Sequence, residues 1–178
     1  MNLPNKLTVL RVCMVPVFVI LMLALPEESG KWPAALVFIG ASATDWFDGY
    51  LARKNNLVTD FGKFMDPIAD KLLVCSAMIC LVEQNKLAAW MVIIIIGREF
   101  IISGFRLVAS DKGTVIAASY WGKFKTVFQM AMVILLILDF GGVFDTVAQV
   151  VTWVALALTV VSLVDYMRKN WSVLDGEM

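Results

Sequence analysis

Histidine is absent from this sequence of 178 residues. Its absence excludes imidazole as a catalytic acid or base, the Ser-His and Cys-His nucleophile pairs, and imidazole metal sites. Carboxylates, Lys, Arg and hydroxyl groups are left to carry any chemistry, and the metals that suit them are hard cations. Cysteine is also scarce. Cys13, Cys75 and Cys80 all lie inside apolar runs, which predicts buried thiols and no disulfide framework.

An excess of charge of either sign is missing as well. The 15 Lys and Arg residues balance 15 Asp and Glu residues, so no bulk charge attracts the chain to nucleic acid, and we expect no nucleic-acid partner. Charged residues make up 17% of the chain, against about 25% in soluble domains. Hydrophobic residues make up 60%, against roughly 45–50%. This composition predicts a polytopic membrane protein.

Six apolar stretches are candidates for membrane spans, each of which takes about 20 mostly apolar residues. They run from Leu7 to Leu25, Trp32 to Phe47, Phe64 to Val82, Leu87 to Val108, Lys123 to Leu138 and Phe144 to Tyr166. We therefore predict an all-α fold with six transmembrane helices, in which residues 1–178 form a single domain. The residues before the first span are too few to cross a membrane, and we expect a short interfacial segment there.

The loops at the two membrane faces differ in their Lys and Arg content. With six spans, one face holds both termini and the connections between spans 2 and 3 and between spans 4 and 5, where most Lys and Arg residues lie. The opposite face holds only Lys31 and Lys86. This contrast places both termini in the cytoplasm. Six aromatic residues near predicted span ends are interpreted as interfacial anchors: Trp32, Trp90, Tyr120, Trp121, Tyr166 and Trp171.

Two pairs of aspartates interrupt the apolar background. Asp45 and Asp48 are three residues apart at the end of span 2, and Asp66 and Asp70 are four apart at the start of span 3. Each pair therefore occupies one helical face. The turn between the spans returns the chain, so both pairs reach the cytoplasmic side and can point at each other. Ionisable groups within spans cost at least about 2.5 to 3.5 kcal/mol each, so they are rare unless they face a cavity, a partner or an ion.

Divalent cations would remove the repulsion between these four carboxylates. Oxygen-only ligands, few of them per metal, leave open positions for phosphate oxygens and water, which suits Mg²⁺ or Mn²⁺. Two such ions a few ångströms apart form a clamp for phosphoryl transfer. Gly49 and Gly62 lie beside the two aspartate pairs, where backbone or ligand can approach closely.

Simpler interpretations exist for each pair taken alone. Asp66 followed by Pro67 is a common helix start, with aspartate as the N-cap and proline at the first helical position. If the helix begins near Thr59 instead, Pro67 lies in its interior and should kink it. The other pair could form structural salt bridges with Arg53 or Lys71. Neither interpretation explains the joint spacing.

The signature segment, residues 45–70, resembles the CDP-alcohol phosphotransferase family. It follows the family pattern D-x-x-D-G-x-x-A-R-x8-G-x3-D-x3-D without departure, and the fixed positions are Asp45, Asp48, Gly49, Ala52, Arg53, Gly62, Asp66 and Asp70. Six spans are also typical of that family. Residues 2–11, 97–106 and 122–126 resemble its bacterial members that use glycerol 3-phosphate. The resemblance extends over most of the chain and weakens toward the C-terminus.

By this resemblance the protein is expected to be an enzyme that transfers the phosphatidyl group from CDP-diacylglycerol to sn-glycerol 3-phosphate and releases CMP. The resemblance implies two Mg²⁺ or Mn²⁺ ions per active site, held by Asp45, Asp48, Asp66 and Asp70, with Asp70 also the candidate catalytic base. It implies a CDP site formed by Asp48, Gly49, Ala52, Arg53 and Gly62, with Asn5 and Thr8 as further candidates. It also implies a homodimer among the lipids of the bacterial cytoplasmic (inner) membrane, with its active site on the cytoplasmic side.

A dianionic phosphate that enters a membrane-embedded pocket requires fixed cations, whereas a neutral acceptor needs fewer. The candidates for the phosphate of glycerol 3-phosphate are Arg11, Arg98, Arg106, Lys123 and Lys125. Arg98 and Arg106 are eight residues apart, close to one face of span 4 over two turns. As alternatives, Arg98 pairs with Glu99, and Lys125 reaches anionic lipid headgroups.

Two other interpretations of the signature stay open. Within the family, a phosphatidyltransferase that uses inositol phosphate or a neutral alcohol such as serine carries the same pattern. Outside it, intramembrane aspartates are also typical of cation transporters, which move ions and release no CMP.

Overall fold

The structure, a computed structural model, describes residues 3–54, 60–111, 116 and 119–171, and the side chains of residues 5–44, 65, 68–110, 116 and 119–171. The described residues form six α-helices and no strand, which confirms the all-α prediction. The helices are α1 (Leu3–Leu23), α2 (Glu27–Lys54), α3 (Asp60–Glu83), α4 (Ala89–Asp111), α5 (Tyr120–Leu138) and α6 (Val143–Lys169).

Apolar helices identify this chain as a membrane protein. Within the described residues, three helical segments are long and apolar enough to cross a membrane: Asn5–Leu23, Tyr120–Leu138 and Val143–Lys169. α4 is mostly apolar, and three charged residues precede its last turn: Arg98, Glu99 and Arg106. The total of six spans stays a prediction.

The ends of the first two helices differ from the predicted ones. α2 begins at Glu27 and continues to Lys54, whereas its apolar stretch runs only from Trp32 to Phe47. α1 begins at Leu3, so a helical turn stands where we expected a short interfacial turn. Hydropathy marks the apolar part of a helix, but backbone hydrogen bonding continues into polar flanks. Acidic residues in the first turn of α2 also favour an earlier start, because they complement the helix dipole.

Residues with left-handed backbone conformations form the turns after α3 and α5. Asn85 has φ 59°, and its N–H donates to the carbonyl of Val82 at 2.9 Å. Asp139 has φ 42°, and Gly141 and Gly142 follow with φ 76° and 63°. Asn, Asp and Gly are the residues that tolerate this conformation best, so these turns end both helices sharply.

The described chain divides into two compact units. The first contains residues 1–86 and 133–140, and the second contains residues 87–132 and 141–178. In the first unit, α1 packs against α2 and α3. Phe18 and Phe38 meet in its core with ring centroids 5.9 Å apart. Small residues line the buried helix faces, which lets the helices approach closely: Ala34, Ala35, Ala41, Ala69 and Ala77.

An ion cluster of Lys86, Glu27 and Asp139 connects the turn after α3, the first turn of α2 and the turn after α5 at one end of the first unit. The amine of Lys86 lies 2.5 Å from the Glu27 carboxylate and 2.9 Å from that of Asp139. Burial disfavours the charged amine, but the hydrogen bonds to the two carboxylates outweigh burial and raise the pKa of Lys86. The hydrogen bond from Lys86 also lowers the pKa of Asp139.

In the second unit, α4 and α6 pack side by side, and the ring contacts between them show that they run in the same direction. Trp90 lies against Trp153 with ring centroids 6.0 Å apart, and Phe105 lies against Tyr166 at 6.3 Å. The buried residues of α6 recur at helical spacing and therefore form one face: Ala148, Thr152, Ala155, Leu156, Thr159, Ser162 and Tyr166. Arg168 and Lys169 in its last turn complement the helix dipole.

Candidate active site

The signature segment occupies the second half of α2 and the first part of α3. The aspartates at 45 and 48 lie within α2, and those at 66 and 70 lie within α3. Asp70 is partly buried. Seven positions have side chains outside the described residues: Asp45, Asp48, Gly49, Ala52, Arg53, Gly62 and Asp66.

The interpretation of Asp66 and Pro67 as a helix start is wrong. α3 begins at Asp60, so both residues lie inside the helix. Proline has no N–H to donate to the carbonyl of Lys63, four residues earlier, and it is unfavourable in a helix interior for that reason. Asp66 is therefore not explained as an N-cap.

Two contacts fix the position of α1 along the axes of α2 and α3. A Cβ atom at Gly30 of α2 would lie 2.4 Å from the carbonyl oxygen of Leu21, so the backbones of α1 and α2 touch there. Gln84, directly after α3, donates a hydrogen bond from Nε2 to the carbonyl oxygen of Met22 at 2.7 Å. The end of α1, the start of α2 and the end of α3 therefore lie together at one end of the first unit.

The signature aspartates lie at the other end of these helices. At 1.5 Å per residue, Asp45 is about 22 Å from Gly30 along α2, and Asp70 is about 20 Å from the end of α3. Thr8 is about 20 Å along α1 from the residue that touches Gly30. α1 contacts both α2 and α3, and these two helices also contact each other. The candidate residues of all three helices therefore lie at similar distances from the end where Gly30 meets Leu21.

α1 contributes a buried polar stripe at that level. Asn5, Thr8 and Arg11 are one turn apart along the helix, and all three are buried, Thr8 and Arg11 to 1% exposure. A buried arginine is costly unless its charge is compensated, so such a residue in an apolar helix marks a functional position more often than a packing position. The structure thus brings these three sequence candidates together on one helix.

A metal site in this region is supported by the chemistry of the donors. Of the four signature carboxylates, only Asp70 has a described side chain. Among the described residues, no group of three acidic or thiol side chains is placed to bind a metal ion. Four carboxylates and no histidine or thiolate form a donor set for hard divalent ions such as Mg²⁺ or Mn²⁺. The four signature aspartates therefore suit these ions chemically. That all four carboxylates meet at one site stays a prediction.

A second group of candidates lies in the second unit, where Glu99 joins two buried cations. Arg98 donates from Nη1 to the Glu99 carboxylate at 3.1 Å and from Nε to the hydroxyl of Ser162 at 3.0 Å. The amine of Lys125 donates to the same oxygen of Glu99. Arg98 is 8% exposed and Lys125 is 1% exposed. The alternative that Arg98 pairs with Glu99 is confirmed, and it leaves further N–H groups of this guanidinium for a ligand.

Gly122 makes room for this arrangement. A Cβ atom there would lie 3.2 Å from Nη2 of Arg98 and 3.4 Å from the hydroxyl of Ser119. The glycine at the start of α5 thus lets the guanidinium pass close to the helix backbone.

The other two basic candidates lie over aromatic rings and are exposed. The Arg106 guanidinium carbon is 5.9 Å from the ring centroid of Tyr166, and the Lys123 amine is 5.4 Å from that of Tyr120. Such cation–π contacts orient the charged groups at modest energy. The structure therefore separates a buried pair, Arg98 and Lys125, from an exposed pair.

Sequence reasoning missed the environment of Tyr166, which it grouped with interfacial aromatics. Tyr166 is 2% exposed, whereas Trp32, Trp90 and Tyr120 are 52%, 49% and 80% exposed. An available signal was its position four residues after Ser162 on the same helical face, a small polar residue inside an apolar span. The anchor interpretation is wrong for Tyr166.

The family model described as CDP-alcohol phosphatidyltransferase matches residues 1–161 of this sequence. The chain belongs to this family. The resemblance drawn from the signature segment is therefore confirmed. Members of the CDP-alcohol phosphatidyltransferase family generally use divalent metal ions, in agreement with the carboxylate donors of the signature.

Individual family members are similar to this chain along almost its entire length. The CDP-diacylglycerol--glycerol-3-phosphate 3-phosphatidyltransferase of Bacillus subtilis is 48% identical to it, over 97% of both chains. The proteins of the same name from Haemophilus influenzae and Rickettsia typhi are 40% and 39% identical. Those two alignments cover 98% and 94% of this chain and 97% and 96% of the relatives.

Proposed function

We propose that this protein transfers the phosphatidyl group from CDP-diacylglycerol to sn-glycerol 3-phosphate, forming phosphatidylglycerophosphate and CMP for phospholipid synthesis. The observation that carries this proposal is the 48% identity, over 97% of both chains, to the bacterial relative named for that reaction. A similarity of this length includes the helices of both units and not only the family signature.

The reaction breaks one phosphoanhydride bond and forms one phosphate ester bond. A hydroxyl oxygen of glycerol 3-phosphate attacks the phosphorus that carries the diacylglycerol, the bond to the CMP phosphate oxygen breaks, and CMP leaves with its electron pair. Asp70 would accept the proton of the attacking hydroxyl. Late proton transfer in a loose transition state needs no strong base, so a carboxylate is sufficient.

The donor substrate would be bound by the signature segment and the polar stripe of α1. Asp45, Asp48, Asp66 and Asp70 would hold two Mg²⁺ or Mn²⁺ ions, which when bound neutralise negative charge on the diphosphate. The remaining CDP contacts would come from Gly49, Ala52, Arg53, Gly62, Asn5 and Thr8. Asn5 and Thr8 are buried on the same face of α1 as Arg11, and polar residues inside an apolar helix are often functional.

The phosphate of the acceptor would be bound by fixed cations. The candidates are Arg11, Arg98, Arg106, Lys123 and Lys125. Arg98 and Lys125 support this role best, because both are buried, their positions are held by Glu99, and two cations share this one carboxylate. A dianion that enters their surroundings would gain charge-assisted hydrogen bonds.

We further propose that the protein is a multi-pass homodimer of the bacterial cytoplasmic membrane, built as one catalytic domain. Both termini and the active site would face the cytoplasm. The distribution of Lys and Arg between the two sets of predicted loops supports this orientation, and the homodimer follows only from the family resemblance.

The activity is tested by following CMP release from purified protein in detergent with CDP-diacylglycerol and a panel of acceptors. Glycerol 3-phosphate should support turnover, whereas inositol phosphate and serine should not. Chelation should stop the reaction, and added Mg²⁺ or Mn²⁺ should restore it. Turnover with serine and none with glycerol 3-phosphate would overturn the acceptor assignment. Cation flux in vesicles without CMP release would favour a transporter instead.

A further inference from the structure

Tyr166 is a buried tyrosine whose hydroxyl group has no hydrogen-bond partner among the described residues. The residue is 2% exposed, so its hydroxyl does not lie on an open surface where bulk water would bind it. A buried polar group left unsatisfied costs about 1–3 kcal/mol, and tyrosine hydroxyls that are buried usually find a partner. The missing hydrogen-bond partner of the Tyr166 hydroxyl suggests that a bound ligand supplies it.

Neighbouring side chains hold the ring of Tyr166 in place. Phe105 of α4 meets it edge to face, with centroids 6.3 Å apart at an interplanar angle of 86°. The guanidinium of Arg106, the next residue, lies over the ring. A ring held on two sides presents its hydroxyl in one direction, which favours a binding role because little side-chain entropy is lost when a ligand binds.

The charges near the hydroxyl are mainly positive. Ser162 lies one turn before Tyr166 on α6, and its hydroxyl accepts a hydrogen bond from Nε of Arg98 at 3.0 Å. Arg98 also lies within electrostatic range of Arg106 and Tyr166. Negative charge is present as well. Glu99 pairs with Arg98 and Lys125, and Oδ1 of Asp165 pairs with Lys169 at 2.7 Å, whereas the buried Oδ2 of Asp165 has no hydrogen-bond partner among the described residues. A ligand oxygen that accepts a hydrogen bond from Tyr166 in these surroundings would gain most from Arg98 and Arg106 if it is anionic.

We propose that the Tyr166 hydroxyl binds the acceptor substrate, donating a hydrogen bond to a phosphate oxygen of glycerol 3-phosphate beside Arg98 and Arg106. This inference rests on the proposed function and adds a neutral, directional contact to its cationic ones. Phosphate groups also occur in CDP-diacylglycerol and in anionic lipids. The hydroxyl would bind a phosphate oxygen of either molecule in the same way. Kinetics in which glycerol 3-phosphate, CDP-diacylglycerol and anionic lipid are varied separately distinguish the three sources of phosphate.

The test replaces Tyr166 with phenylalanine, which removes the hydroxyl and keeps the ring beneath Arg106. In Tyr166→Phe, KM for glycerol 3-phosphate should rise about tenfold, because one hydrogen bond to a charged oxygen is lost. KM for CDP-diacylglycerol should stay within about twofold. The midpoint of thermal unfolding should not fall, because a hydroxyl without a partner contributes no stability to the free protein.

Tyr120→Phe is the matched control, since Tyr120 also carries a cation over its ring but is 80% exposed. It should leave both KM values unchanged. A rise in KM for CDP-diacylglycerol as large as that for glycerol 3-phosphate, or an effect that depends on anionic lipid content, would overturn the assignment to the acceptor. An unchanged KM for glycerol 3-phosphate together with lower thermal stability would show a packing role and overturn the proposal.

A binding measurement without turnover separates this inference from the proposed function. Protection against thermal unfolding is recorded as glycerol 3-phosphate is added without CDP-diacylglycerol. The wild type should be protected, and Tyr166→Phe should need about tenfold more glycerol 3-phosphate for equal protection. If the wild type releases no CMP with glycerol 3-phosphate, the proposed function fails. If the wild type turns over and the variant binds and reacts like it, only the role of Tyr166 fails.

Discussion

Lys125 of α5 and Glu99 of α4 form an ion pair in which the lysine side chain is 2% exposed and the glutamate side chain 20%. Arg98 donates to the same carboxylate oxygen. Glu99 therefore compensates two cations that the apolar surroundings would otherwise disfavour. A buried ion pair adds little net stability over an apolar one, but removal of one partner leaves an uncompensated charge.

We predict that Glu99→Gln lowers the free energy of unfolding by about 1–3 kcal/mol, because the amide keeps an acceptor oxygen but removes the compensating charge. Thermal unfolding in detergent measures the change. Glu28→Gln is the matched control, since Glu28 pairs with Lys31 at 3.2 Å but its side chain is 86% exposed. That pair contributes about 0–1 kcal/mol. Equal effects of the two substitutions would contradict the role of burial at Glu99.

Gly30 permits the backbone contact between α1 and α2, so Gly30→Ala should force these helices apart. A Cβ atom there would lie 2.4 Å from a backbone oxygen that cannot rotate away. We expect a loss of about 1–3 kcal/mol in stability, as overpacking usually causes. We also expect reduced CMP release, because the contact sets the level of α1 relative to the signature segment.

Gly40→Ala in the same helix is the control for that substitution. No described atom lies within 4 Å of a Cβ at Gly40. Alanine there should be neutral or stabilising by up to about 1 kcal/mol through its helix propensity. If Gly30→Ala behaves like Gly40→Ala, the close approach of α1 and α2 is not what requires glycine.

Asp70→Asn should reduce CMP release at least about 100-fold, because it removes a general base and a carboxylate ligand together. The unfolding midpoint should stay close to that of the wild type, because Asp70 is only partly buried and asparagine has nearly the same shape. The same assay on Asp145→Asn, which changes an exposed aspartate in the first turn of α6, should show wild-type turnover. Substantial turnover in Asp70→Asn would argue against its catalytic role.

The ion cluster at Lys86 should make stability depend on pH at both extremes. The pKa of Asp139 is lowered in the folded protein, so its contribution is present above the ordinary value of 3.8 and is lost as pH falls through the folded pKa. The pKa of Lys86 is raised, so its contribution is present below 10.5 and is lost as pH rises through the folded pKa.

Asp139→Asn tests the acidic limb, because asparagine tolerates the left-handed backbone at this position equally well. The variant should be less stable than the wild type at pH 7. The difference should shrink as pH falls below 3.8 and the wild-type carboxyl becomes protonated. Unfolding midpoints measured across this range check the expectation. A difference that persists at the most acidic pH would show that the carboxylate charge is not responsible.

Helix positions were predicted well where apolar runs and helices coincide, and poorly where they do not. The end of α5 at Leu138 matches the prediction, because Asp139 and the glycines after it end both the apolar run and the helix. α2 continues past Phe47 because polar residues extend a helix without extending its apolar run. Asp66 and Pro67 were ambiguous because aspartate followed by proline is typical of a helix start, whereas α3 begins earlier and continues through both residues.

The sequence by itself determined the all-α class, the membrane character and the family, because apolar runs, backbone hydrogen bonding and the spacing of the signature aspartates are all local properties of the chain. Only the tertiary structure decided that Arg98 and Lys125 share Glu99 and that Tyr166 is buried. The first fact depends on a contact between α4 and α5 across 26 positions of the chain. The second depends on which face of α6 packs against α4, where Phe105 meets Tyr166. Helical periodicity states which residues share a face, but packing decides which face is covered.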